Sequence, residues 1–165
     1  MSVQAIIEKL EKIYQLHESL LKLSKEKTEQ IKLNEIESFN QILMTERKHV
    51  QAIEQLEAKR VEETQAWFQQ NAPDVREQTI NSLIGQLEDS DEKNKLEKLY
   101  GDFIILLADL KQQEKLNHDL TQQSLQFVQL SLEMIQPKYQ SDLNYKKPTK
   151  SQGQRGNTSA FDSRA

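Results

Sequence analysis

Three histidines and a surplus of carboxylates are the residues of this chain whose types suit metal or acid–base chemistry. Glu46-Arg47-Lys48-His49 is a Glu-x-x-His step, the spacing with which di-iron helix bundles present a carboxylate and an imidazole one turn apart. Such a site needs a second step and two more inward carboxylates. Glu114 and His118 are four apart, so the second step is missing, and Arg47 and Lys48 add repelling charge. The residues favour a solvated helix face there. His17 falls on an apolar stripe and reads as a partly buried, satisfied side chain rather than a ligand. Glu62 and Glu63 are adjacent, point apart on a helix and cannot share one substrate. There is no Gly-rich phosphate loop and no Gly-x-Ser-x-Gly elbow. With no cysteine there is no thiol nucleophile, thiolate zinc site or disulfide framework. The expectation is a non-enzyme with no catalytic residues, no metal and no cofactor.

The elements that would position any site follow from composition. Of 165 residues, 36% are hydrophobic and 29% charged, and mean hydropathy is -0.78. That balance excludes a large spherical core and suits amphipathic helices that each bury one stripe. Four Gly and three Pro are too few for the turns of a β-sandwich or barrel. The longest unbroken apolar run, Phe103 to Ala108, is six residues, against ~18 for a membrane span. No apolar stretch resembles a signal peptide, so a cytoplasmic protein without membrane insertion is expected. Residues 1–137 hold 16 Lys+Arg against 24 Asp+Glu, a balance of -8, and residues 138–165 hold 6 against 2. An acidic body argues against a nucleic-acid partner, because phosphate contacts need clustered Lys/Arg.

Helical spacing places Val3, Ile6, Leu10, Ile13, His17 and Leu20 on one stripe of a first helix that runs to about Ile31. Asn34 with Glu37 matches a capping box for a second helix, which carries Ile36, Phe39, Leu43, Val50, Ile53, Leu56 and Trp67-Phe68. Pro73 suits the first turn of a short third helix containing Ile80, Leu83, Ile84 and Leu87. The fourth runs from about Asp91 to Gln136, where Pro137 stops it. The fold class is all-α: an elongated antiparallel hairpin or bundle of about four helices. A helical body, 1–137, precedes a flexible basic tail, 138–165, whose polar composition predicts disorder.

The fourth helix is the informative one. Leu96, Leu99, Phe103, Leu106, Leu107 and Leu110 form a stripe that seals the bundle. The stripe turns polar at Glu114, Asn117, Thr121 and Ser124, then apolar again at Leu125, Val128, Leu132 and Ile135. A second apolar face opens at Leu116, Leu120, Phe127, Leu130 and Met134. A helix apolar on two sides must be covered on two sides. Three covers stay open: the third helix, a second copy of the chain, or a partner's amphipathic helix seated in a groove.

A long N-terminal amphipathic helix, the segment KLNEIESFNQILMTERKHVQAIEQLEAKR, a short linker helix, the segment LNHDLTQQSLQFVQLSLEMI and a polar tail with a lone Tyr follow one another. This order resembles the FlgN family of bacterial flagellar export chaperones over residues 1 to about 150. Its more telling pieces are Glu46-Arg47-Lys48, Glu57-Ala58-Lys59-Arg60, Asn117 and Tyr145. The resemblance implies a type III export chaperone that holds hook-filament junction proteins in the cytosol by their C-terminal helical ends. It implies a cargo site at Leu116, Leu120, Leu125, Phe127, Val128, Leu130, Leu132, Met134 and Ile135. It also implies docking on the cytosolic domain of the export-gate membrane protein through Tyr145, with Tyr139 as competitor. The family often has Gly soon after this Tyr, whereas here Lys146-Lys147-Pro148 follows. A self-assembling coiled-coil subunit is the rival reading, and homo-oligomerisation without cargo stays open.

Overall fold

The computed structural model describes residues 2–135. Four helices follow in order: α1 (Val3–Leu33), α2 (Ile36–Asn71), α3 (Ile80–Gln86) and α4 (Asp91–Ile135). No strand occurs among the described residues, so the all-α expectation holds. The chain divides into two compact units, one ending at Gln122 and one starting at Gln123. Of the second, only the last part of α4 is described. The tail, with Tyr139 and Tyr145, lies outside the described residues.

The first unit is tied together by one apolar knot. Val3, Ile6 and Ile7 of α1 meet Trp67 and Phe68 of α2, Leu83 and Ile84 of α3, and Leu96 of α4. Ile6, Phe68, Leu83 and Leu96 are fully buried, each contributing roughly 1.5–3 kcal/mol by leaving water. Side-chain pairs give the directions of the long helices. Lys9 pairs with Glu63 and Lys27 with Glu46, so α2 runs back along α1. Between α1 and α4 the partners instead advance together, 85 to 93 residues apart from Ser24 to Thr28. Tyr14 and His17 likewise stack edge-on against Phe103 at 5.5 and 5.2 Å. α1 and α4 are therefore parallel, and α2 is antiparallel to α1. Burial, with smaller contributions from the Glu18 and Asp102 charges, pushes the Tyr14 phenol above its ordinary pKa.

Two local expectations are corrected. Asn34 does not cap α2. It ends α1 in the left-handed region at φ 59°, donating to the Ile31 carbonyl while Glu35 donates to that of Gln30. These two bonds form a Schellman closure, which asparagine tolerates. α2 starts at Ile36 behind an N-cap Glu35 that makes no side-chain cap bond, and the Asn34–Glu37 spacing matched a box that does not form. Pro73 likewise lies in a loop. α3 begins seven residues later, where Thr79 Oγ1 accepts from the Ser82 amide at 3.1 Å. Of the stripe residues, Ile36 is 68% exposed and Val50 44%. Ile36 belongs to the hairpin turn, past the reach of the core.

Candidate partner-binding site

Glu46, His49 and His17 are engaged in structure. Glu46 accepts a hydrogen bond from Lys27 at 2.8 Å, and His49 Nδ1 lies 2.9 Å from the Thr45 carbonyl of its own helix. The Glu-x-x-His step is thus split between a salt bridge and a helix carbonyl. His17 is half-buried as expected, with Nδ1 2.8 Å from the Ile13 carbonyl oxygen. No group of three His, Asp or Glu stands ready for a metal among the described residues.

The polar interruption of the α4 stripe has a partner of its own on α1. Ser24 donates to Glu114 at 2.8 Å, and Asn117 Nδ2 donates to the Ser24 carbonyl at 2.8 Å and hydroxyl at 3.0 Å. Thr28 donates to Asn117, and Gln113 donates to Thr28 at 2.6 Å. Lys27 reaches both Glu46 and Glu114, whose two oxygens lie 3.0 and 3.1 Å from its Nζ. Burial alone would lower the Lys27 pKa, but the hydrogen bonds and charges of Glu46 and Glu114 outweigh it and hold the ammonium above its ordinary value. Ser24, Lys27, Thr28 and Asn117 are buried, and each has a partner, as buried polar groups require. This layer joins α1, α2 and α4 through named bonds; it has no reactive group to spare.

The residues expected from the sequence to bind cargo fall into two sets. Leu116 is 45% exposed and Leu120 half-buried in the first unit. In the second unit Leu125, Phe127, Val128, Leu130, Leu132, Met134 and Ile135 are 52–77% exposed. Helical spacing puts Phe127, Leu130 and Met134 on one side and Leu125, Val128, Leu132 and Ile135 on the other. These large apolar side chains, contiguous on one helix, are uncovered among the described residues, which makes them a candidate interaction surface. α3 spends its buried residues, Leu83 and Ile84, in the knot.

A second apolar surface was not anticipated. An open groove of about 490 Å³ lies within the first unit, walled by Ile53, Glu57 and Arg60 of α2 and by Leu99, Tyr100, Phe103, Ile104 and Leu107 of α4. Leu10, Ile13 and His17 of α1 and Ile80 of α3 complete its lining. Leu107, expected in the sealed stripe, is 44% exposed, and Tyr100, Ile104 and Ile105 are 38%, 54% and 63% exposed. The signal was in the run Phe103 to Ala108: six consecutive apolar residues cover more than a full helical turn, so no single stripe can bury them.

A family model described as FlgN protein matches residues 1–153. The uncharacterized protein YvyG of Bacillus subtilis (strain 168) is 38% identical over 152 residues, 92% of this chain and 91% of that protein. No solved structure matches.

Proposed function

Because the chain belongs to the FlgN family, we propose that it is a flagellar type III export chaperone. Its cargo is a hook-filament junction protein, held by the C-terminal helical region so that it does not self-associate before export. The supporting observation is the doubly apolar end of α4, where Phe127, Met134 and Ile135 are 70–77% exposed. An amphipathic cargo helix laid along this segment covers one side, with Met and Phe supplying adaptable contacts. Cargo-binding residues are Leu116, Leu120, Leu125, Phe127, Val128, Leu130, Leu132, Met134 and Ile135. The loaded chaperone then docks on the cytosolic domain of the export-gate membrane protein through Tyr145. No described helix is long and apolar enough to cross a membrane, in keeping with a carrier that works outside the bilayer.

The test is calorimetric titration of the full chain with a purified junction protein from the same organism, beside a copy truncated before its C-terminal helix. Binding to the first and none to the second supports the reading. No binding to any junction protein, with concentration-dependent self-assembly instead, transfers the same apolar faces to a coiled-coil structural role.

A further inference from the structure

The long helices of the first unit occupy three positions of a bundle. α1 lies between its antiparallel neighbour α2 and its parallel neighbour α4, and the groove runs between α2 and α4. We propose that this groove, resting on the export-chaperone reading above, seats one amphipathic helix of the exported partner, which completes a four-helix arrangement. The groove spans α4 from Leu99 to Leu107, about two helical turns, which matches anchors spaced i, i+3 or i+4, and i+7. Its lips stay apolar into solvent. Tyr100, Ile104 and Leu107 rise on α4, while on α2 Val50, three residues before Ile53, and Val61, four after Glu57, share their face by helical spacing and are 44% and 36% exposed.

Gly101 gives an independent sign. It sits inside α4, where glycine is unfavourable, yet a Cβ there would meet nothing within 4 Å. Nothing within the described chain requires its smallness. By spacing it lies beside Ile104, Ile105 and Ala108, so it lets an outside backbone come close over that lip.

Charge selects the occupant. Arg60 is pinned by Glu57 at 2.5 and 2.8 Å, and α4 has no charged residue between Asp102 and Asp109. The surrounding body is acidic, with 16 Lys+Arg against 24 Asp+Glu up to residue 137. A helix with an apolar stripe and a neutral or basic outer face fits. The end of α4 from a second copy fits poorly, because residues 116–135 contain Asp119 and Glu133 and no Lys or Arg.

The experiment uses the full chain and a synthetic peptide of the junction protein's C-terminal helical region. Ile104 is exposed and Gly101 half-buried with open space for a side chain, so Ile104→Glu leaves the melting curve in place and Gly101→Leu does not lower it. Each is expected to weaken peptide binding by roughly 10- to 100-fold, the effect of disabling an interface anchor. Because the chain lacks cysteine, Ile104→Cys carries a single environment-sensitive fluorophore, expected to shift blue when peptide is added. Unchanged affinity in both variants with a silent fluorophore, while wild type binds, overturns the groove and leaves the chaperone reading standing. If wild type binds no such peptide, both fall. A fluorophore already buried without peptide assigns the groove elsewhere and overturns the proposal. Dependence on concentration then points to a second copy, and release on truncation after Gln136 to the chain's own C-terminal segment.

Discussion

Replacing Lys27 by methionine removes one ammonium while keeping nearly all of the side-chain volume. Glu46 and Glu114 would then face each other without their shared cation. Removing one partner of a fully buried ion pair costs about 3–5 kcal/mol. Lys27 is 7% exposed and the Glu46 side chain 16%, but the Glu114 side chain is 45% exposed and turns to water. Discounting for that gives roughly 2–3 kcal/mol, or a melting point lower by roughly 4–12 °C for a chain of this size. Lys32→Met is the control. Its pair with Glu29 joins side chains 54% and 62% exposed, so its loss is expected to stay below about 0.5 kcal/mol. Adding Glu46→Gln and Glu114→Gln to Lys27→Met removes the stranded charges and restores stability to within about 1 kcal/mol of wild type. The sign with pH follows from the raised Lys27 pKa. Its contribution is fully present below about 10.4, the ordinary lysine value, and is lost as pH rises through the higher folded value. The gap between wild type and Lys27→Met is therefore flat across neutral pH and closes in alkali. Urea denaturation at pH 7 and above pH 10.5 measures both. A Lys27→Met cost no larger than that of Lys32→Met would refute the reasoning.

Phe127→Asp or Leu130→Asp is expected to weaken junction-protein binding by ~2–4 kcal/mol, roughly 30- to 1,000-fold, with melting unchanged because the two residues are 70% and 56% exposed; a sharply lower melting point would show that these faces are packed and move the site elsewhere. Tyr145→Ala should leave helicity and cargo affinity intact yet abolish binding of the loaded chaperone to the gate's cytosolic domain, read by calorimetry; loss in Tyr139→Ala instead would mean the other tyrosine docks. Asn34→Val is expected to cost about 1–2 kcal/mol, because a β-branched residue resists φ 59°, while Asn34→Gly stays within about 1 kcal/mol of wild type. Equal urea midpoints for the two Asn34 variants would show that the left-handed turn does not form.

The helices were legible because apolar spacing at 3.6 residues is a property of one chain segment read alone. Val3, Ile6 and Ile13 are buried where the stripe put them. What one segment could not reveal was anything set by a second. Glu114 and Asn117 looked like a gap in the α4 stripe, because their partners Ser24, Lys27 and Thr28 lie some 90 residues away on another stripe. Asn34 was misassigned for a different reason: asparagine is favoured both as a helix start and in the left-handed residue that ends one. Pro73 carries a similar ambiguity, since proline both opens helices and sits in loops. The two apolar faces at the end of α4 were legible in the spacing, but what covers them was not, because a cover is set by another segment or another chain. Nor was the groove legible, because Leu107 fits a sealed stripe by spacing and only the separation of α2 from α4 shows that it stands at a lip.

Trp67 is the sole tryptophan of the chain, and it is 8% exposed in the knot, edge-on to Phe68 at 5.2 Å. Its emission therefore reports one place, the junction where all four helices meet. Circular dichroism at 222 nm instead sums every helical peptide, including those from Gln123 to Ile135, which contribute no buried residue. Helical turns without buried contacts open at low free energy. Two optical probes of one heated sample thus follow different parts of the molecule. The ellipticity can begin to fall while the indole is still enclosed, and a single unfolding free energy fitted to either trace alone would describe a transition that the chain makes in more than one step.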